Sequence, residues 1–247
     1  MYTLITGASS GLGKELAYIF AENNFNLVLV ARRKELLDKL KVDLELKGIQ
    51  VKVVVADLTD VLSCFELFDS VKDLDITYLI NNAGFGNLGY FNDTNLNIEL
   101  EMIDLNIKTV HILTKLFINN FVEGTIVNIG SLAGYIPTPI HATYSSTKSY
   151  VNFFSRAVNY ELKKQGKNVR VLTVAPGPIK TNFNQVAKAS KSHGMETKKC
   201  ARIIYKGIKK RKEFIIPGFS LNLIYFINRF IPTRMLMMFS HKIQSRK

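Results

Sequence analysis

Short apolar runs rich in Val, Ile and Leu recur along this chain, each separated from the next by a longer amphipathic stretch. This alternation is the pattern of βαβ units, in which a parallel sheet is covered on both faces by helices. It predicts strands near 2–6, 26–31, 51–56, 77–80, 125–130, 169–174 and 213–216. Helices are expected near 12–23, 34–47, 60–72, 98–120, 143–165 and 196–211. The expectation is therefore an α/β protein, a three-layer α-β-α Rossmann fold with a doubly wound parallel sheet of about seven strands. A length of 247 residues and 47% hydrophobic content suit one large core, and no repeat or low-complexity linker divides the chain. Residues 1–218 are read as one domain, and residues 219–247 as an apolar and basic helical extension of it.

Several function classes recede on composition. Cys64 and Cys200 lack the spacing of a zinc ribbon or disulfide framework, and His111, His141, His193 and His241 lack metal-ligand spacing. The chain enters a strand at Met1 without a basic and apolar leader, so a cytoplasmic location is expected, and no apolar run is long enough to span a bilayer. A net charge of +13 calls for something anionic: a phosphorylated cofactor, a lipid surface or nucleic acid. With no zinc-finger spacing, heptad-linked basic region or aromatic RNA-binding signature, nucleic acid is not expected as a partner.

The first strand runs into Thr6-Gly7-Ala8-Ser9-Ser10-Gly11-Leu12-Gly13 and then into a helix. Gly7 permits a tight turn, Gly11 lets backbone approach a pyrophosphate, and Gly13 lets the helix pack on the sheet, while helix N–H groups face the anion. A glycine-rich turn alone is also compatible with a purely structural strand–helix connection. The second strand ends in Ala31-Arg32-Arg33 with no carboxylate, and paired guanidinium groups suit a ribose 2′-phosphate. The expected cofactor is NADP(H), against the alternative that both arginines are simply solvated.

Tyr144-Ser-Ser-Thr-Lys148 opens a helix, which puts residues four apart on one face and brings Lys148 near the Tyr144 phenol. Ser131 follows the fifth strand, Asn106 lies in the long helix before it, and Asn81-Asn82-Ala83-Gly84 closes the fourth. These positions share one end of one sheet, the carboxyl end at which open α/β sheets bind ligands. A free phenol has a pKa near 10, so acid–base work at neutral pH needs a depression of about three units, roughly 4 kcal/mol.

Over residues 2–182 the sequence resembles the short-chain dehydrogenase/reductase family. The resemblance is carried by the glycine loop, Asp57 after strand three, Asn81-Asn-Ala-Gly84, Asn106, Ser131, Tyr144-x-x-x-Lys148, and Pro176-Gly177 leading to Thr181. Within the family, it looks most like the ketoacyl reductases and hydroxysteroid dehydrogenases. The resemblance implies hydride exchange between a nicotinamide and a carbonyl or secondary alcohol, with a hydrophobic substrate. Tyr144 is then the proton donor, Ser131 holds the substrate oxygen, Lys148 binds the nicotinamide ribose, and Asn106 positions a relay water. Gly7, Ser9, Ser10, Gly11, Leu12 and Gly13 would cradle the pyrophosphate, with Arg32 and Arg33 at the adenosine phosphate. Asp57 and Leu58 would border the adenine, Asn81, Ala83 and Gly84 the adenosine side, and Pro176, Gly177, Ile179 and Thr181 the nicotinamide. It also implies a homodimer or homotetramer formed through the helices near 98–120 and 143–165. The alternatives are a non-catalytic NADP(H)-sensing module and a protein whose tail docks on a membrane or a partner.

Residues 182–194 are polar and read as a lid. In the tail, Leu221, Leu223, Ile224, Phe226 and Ile227 offer an apolar face before Pro232, and 235–239 another after it. Such helices either lie on a membrane surface, drawn by Arg229, Arg234, Lys242, Arg246 and Lys247, or pack on the domain or a partner subunit. The second arrangement is the one expected.

Overall fold

In the computed structural model, which describes residues 1–180 and 194–245, seven strands form one parallel sheet in the order β3-β2-β1-β4-β5-β6-β9. The strands are β1 (Tyr2–Thr6), β2 (Asn26–Ala31), β3 (Val51–Val55), β4 (Ile76–Asn81), β5 (Gly124–Ile129), β6 (Val169–Val174) and β9 (Phe214–Ile215). The order reverses direction between β1 and β4, which opens a crevice at their carboxyl ends.

Strand side chains alternate between two cores. Ile5, Leu27, Leu29, Val127 and Leu172 belong to one, and Leu4, Val28, Val30, Ile126 and Val171 to the other. Both sets are apolar because helices cover both faces of the sheet. The first core is closed by Leu16 and Phe20 of α1 (Gly11–Ala21), Leu37 and Leu44 of α2 (Lys34–Glu45), and Ile204 and Ile208 of a helix spanning Thr197–Lys209. The second is closed by Leu67 of α3 (Val61–Val71), Leu113 and Phe117 of α5 (Thr109–Asn120), and Leu162 of α6 (Ala142–Lys164). Each such residue fully buried contributes about 1.5–3 kcal/mol.

The long stretch read as one helix near 98–120 is α4 (Leu96–Ile103), a π-helical turn at Asp104–Lys108, and α5. Asn95 starts it, its side chain accepting the N–H groups of Asn97 and Ile98 at 2.9 and 3.3 Å. A two-residue parallel ladder of β7 (Ile179–Lys180) and β8 (Met195–Glu196) was too short to read in the sequence. The lid expected at 182–194 lies outside the described residues apart from Gly194, as do Thr181, Arg246 and Lys247.

After β8, α7 (Thr197–Lys209) leads to β9, and two further helices follow, α8 (Phe219–Asn228) and α9 (Thr233–Gln244). Neither α8 nor α9 has a single buried residue. Among the described residues, no helix is long and apolar enough to cross a membrane.

Candidate active site

The crevice is walled on one side by the loop after β1. Gly7 and Gly11 take φ values of +66° and +56°, backbone that favours glycine. At Gly13 a Cβ would come within 2.5 Å of the Gly7 carbonyl oxygen, so the helix can seat on the loop only without a side chain there. Thr6 Oγ1 accepts the N–H groups of Asn82 and Ala83, both at 3.0 Å, and Asn82 Nδ2 donates to the Thr6 carbonyl at 2.9 Å. These bonds lock the glycine loop to the end of β4. The sequence shows Asn82 only as one member of a motif; its latch on the loop comes from the fold.

The Asn81 side chain lies instead inside the sheet, donating to Asn128 Oδ1 at 2.8 Å and to Thr114 Oγ1 at 3.3 Å. Leu58 is likewise buried in the second core, and Leu12 is buried in the first. All three can border a cofactor only through their backbone. Ala83 and Gly84 do line the crevice end of β4, and a Cβ on Gly84 would stand 2.7 Å from Asn106 Oδ1.

At the end of β2, the Arg33 guanidinium donates to Ser9 Oγ and Ser10 Oγ, both at 2.9 Å, which sets a cation directly over the glycine loop. Arg32 pairs with Asp57 at 3.5 Å. Burial alone would raise the Asp57 carboxyl, but hydrogen bonds from the Thr59 N–H and hydroxyl, with the Arg32 charge, outweigh it and hold the group below its usual range. Positive-φ glycines, two serine hydroxyls and two guanidinium groups at a helix N-terminus fit a phosphorylated dinucleotide.

At the other end of the crevice, Ser131 stands beside Tyr144, close enough for its hydroxyl to favour the ionised phenol, and its Oγ donates to the Pro176 carbonyl at 3.5 Å. Ser131 also accepts the Ala133 N–H at 3.1 Å, which fixes its hydroxyl in the turn after β5. Burial pushes the Tyr144 phenol up to about 12, against the opposing pull of Ser131. One turn on, Lys148 is buried and donates to the Ile129 carbonyl at 3.0 Å, with its Nζ 6.0 Å from the centre of the Tyr144 ring. Burial pushes this ammonium down to about 8. The expected depression of the phenol is therefore not supplied by the chain alone, because desolvation outweighs what its neighbours provide.

Asn106 sits fully buried in the π-helical turn. Its Oδ1 accepts the Phe85 N–H at 3.1 Å, and its Nδ2 donates to the Phe85 carbonyl at 2.9 Å and to Thr147 Oγ1 at 3.0 Å. Phe85 and Thr147 went unassigned in the sequence because only the fold brings them to Asn106. Pro176 is joined to the turn after β5, its carbonyl accepting the Leu132 N–H at 2.9 Å. Gly177 faces Leu221 of α8 so closely that a Cβ would stand 2.6 Å from Leu221 Cδ1. Ile179 lies in β7, just beyond. An open hollow of about 440 Å³ lies nearby, lined by Pro139, Arg234, Met237, Met238 and His241. It borders the segment that leads into Tyr144, and His241 at its edge hydrogen-bonds the Tyr90 hydroxyl at 3.1 Å.

A doubly wound sheet with a glycine loop at its switch point, and a Ser-Tyr-Lys set beside it, defines a dinucleotide-binding protein of the Rossmann type. The chain belongs to the short chain dehydrogenase family, whose model matches residues 2–192. It is 38% identical over 181 residues to a very-long-chain 3-oxoacyl-CoA reductase of Neurospora crassa, covering 69% of this chain and 54% of that protein. It is 33% identical over 198 residues to the protein of that name from Anas platyrhynchos, covering 76% of this chain and 63% of the other. The chain thus spans a little over half the length of these curated relatives. A short-chain dehydrogenase from Sphingobium yanoikuyae, solved in complex with NADPH, superposes with a TM-score of 0.82 at 33% identity, covering 88% of each chain.

Proposed function

We propose that this protein is an NADPH-dependent reductase of hydrophobic carbonyl compounds, with 3-oxoacyl thioesters as the substrate class. The observation that carries the reading is the placing of Ser131 beside Tyr144 with a buried Lys148 one turn on, its Nζ 6.0 Å from the centre of the Tyr144 ring, a proton donor and its supports held at the mouth of a nucleotide-binding crevice. The two reductase relatives and the NADPH-bound structural neighbour support the substrate class and the cofactor.

The nicotinamide, when bound, supplies the hydride. The residues of the chain do the rest. Gly7, Ser9, Ser10, Gly11 and Gly13 would hold the pyrophosphate, Arg32 and Arg33 the 2′-phosphate, and Pro176, Gly177 and Ile179 the nicotinamide end. Thr181 belongs to the same proposed set. Ser131 and Tyr144 both present hydroxyls to the substrate oxygen. The Tyr144 phenol is protonated at neutral pH, so the resting chain holds the proton that carbonyl reduction consumes, and burial leaves the lowering of its pKa to the charges that arrive with the cofactor. Lys148 would hold the ribose and, with a pKa pushed down to about 8, can return a proton to Tyr144 near neutrality. The Asn106 amide is engaged with Phe85 and Thr147, so a relay water would fall to its backbone carbonyl in the π-helical turn. Met237 and Met238 beside Arg234 offer an apolar hollow with a cationic edge, suited to an acyl chain that carries an anionic group.

The active form would be a cytoplasmic homodimer joined through α4, α5 and α6. The support is an aromatic group between α5 and α6, in which His111 and Tyr150 both stack on Phe154 at 5.0 and 5.4 Å, together with an exposed Phe153. The test of function is NADPH absorbance with a 3-oxoacyl thioester series. Turnover rising with acyl length and abolished by Tyr144→Phe is expected, and a protein that binds NADPH but reduces no member of the series would overturn the reading. Light scattering showing a monomer at micromolar concentration would overturn the dimer.

A further inference from the structure

The charge of this protein is concentrated at one end. Of its 33 Lys and Arg and 20 Asp and Glu, residues 197–247 carry 13 basic side chains and a single acid, Glu213, leaving 20 basic and 19 acidic in residues 1–196. The first four-fifths of the chain is close to neutral, at +1, and the remainder carries +12 of the net +13. Residues 219–247 hold no carboxylate side chain at all.

The same segment is apolar on two sides. The inner side of α8 is covered: Tyr225 packs on Tyr135 with ring centres 4.7 Å apart and on Phe214 at 5.5 Å, and Leu221 meets Gly177. The outer side is a stripe of Phe219, Leu223, Phe226 and Ile227 at the i, i+4, i+7 and i+8 spacing of one helix face, followed by Phe230 in the turn after the helix. Phe219 is 89% exposed and Phe230 74%. On α9, Met235, Phe239 and Ile243 are exposed in the same way. Arg229, at the end of α8, and Lys242, in the last turn of α9, are exposed beside these apolar groups.

We propose that α8 and α9 lie flat on an anionic bilayer surface, with the outer stripe of α8 in the boundary between headgroups and acyl chains and the cations among the lipid phosphates. Charge complementarity chooses the occupant. A second copy related by two-fold symmetry would bring this acid-free cationic surface against itself, whereas an anionic membrane pairs the cations and takes up the apolar stripe in one contact. Spanning is excluded by length, since helices of 10 and 12 residues reach about 15–18 Å against a hydrocarbon core of about 30 Å.

Co-sedimentation of the full chain with vesicles of phosphatidylserine and phosphatidylcholine, against phosphatidylcholine alone, tests this. The expected result is binding to the anionic vesicles only, weakened at high salt. The combined variant Leu223→Ser, Phe226→Ser, Phe230→Ser should lose binding by at least tenfold, with an unchanged circular dichroism melt, and Arg229→Gln with Lys242→Gln should weaken it several-fold. Three outcomes would overturn the proposal: no pelleting with anionic vesicles at low salt, retention of binding by the serine variant, or a serine variant that turns a dimer into a monomer in light scattering. If the serine variant does not fold, the Arg229→Gln, Lys242→Gln variant decides, since binding equal to that of the unmodified chain would exclude the docking of this surface.

Discussion

Asn106 grips the backbone of Phe85 from both sides, accepting its N–H at 3.1 Å and donating to its carbonyl at 2.9 Å. The grip holds the segment after Gly84 against the π-helical turn and next to Lys148. Asn106→Ala leaves two partly buried backbone groups without this partner and should cost about 2–6 kcal/mol of stability, at about 1–3 kcal/mol for each group left unsatisfied. Chemical denaturation measures it, and a midpoint unchanged from the unmodified protein would refute the role.

Cofactor preference should turn on the two arginines separately. Arg33→Ala removes the cation over Ser9 and Ser10 and should weaken NADPH binding about tenfold, as expected for one charge-assisted contact. Arg32→Ala also frees Asp57, whose carboxylate then becomes available to ribose hydroxyls, so NADH binding should improve. Dissociation constants for both cofactors, measured by quenching of intrinsic tyrosine fluorescence, check this. Equal affinities for NADPH and NADH in the unmodified chain would contradict the NADP(H) assignment.

Removing the phenolic oxygen should stop the chemistry and leave the fold. Tyr144→Phe loses the exchangeable proton but keeps the ring, so turnover should fall by at least about a hundredfold, with NADPH binding near normal. Lys148→Ala should harm both turnover and cofactor affinity. Stopped-flow reduction assays with parallel binding measurements separate the two.

The buried Lys148 predicts a direction for stability against pH. Its folded pKa of about 8 lies below the 10.5 of an exposed lysine, so between these values the unfolded chain binds the extra proton. Stability contributed by this group therefore rises as pH climbs from about 8 to about 10.5, and the penalty of burying the ammonium is fully present below pH 8. The span corresponds to about 3 kcal/mol at 1.36 kcal/mol per unit. Lys148→Met removes the penalty, so its advantage over the unmodified protein should be largest near pH 7 and shrink toward pH 10.5. A constant difference in melting temperature across that range would show that the ammonium is not penalised by burial.

What the sequence alone determined was whatever depends on neighbours along the chain. Alternating β-rich and amphipathic stretches specified a doubly wound sheet, because only a sheet covered on both faces accepts strands as apolar as Leu27-Val-Leu-Val30. The glycine loop and Tyr144-x-x-x-Lys148 were legible for the same reason: a turn needing positive φ and a pair one helical turn apart are local facts. Tertiary structure decided the rest. Asn81 and Asn82 are adjacent, yet one joins Asn128 inside the sheet and the other latches the Thr6–Gly7 backbone, since which side of a strand end faces the crevice depends on β1 and β5. Arg32 and Arg33 divided their partners between Asp57 and the serine loop according to where β3 ends and α1 begins. The hydropathy of α8 announced an apolar helix. That Tyr225 would be covered and Phe226 left bare was settled by Tyr135 and Phe214, because periodicity reports which side chains share a face and only packing supplies what stands opposite.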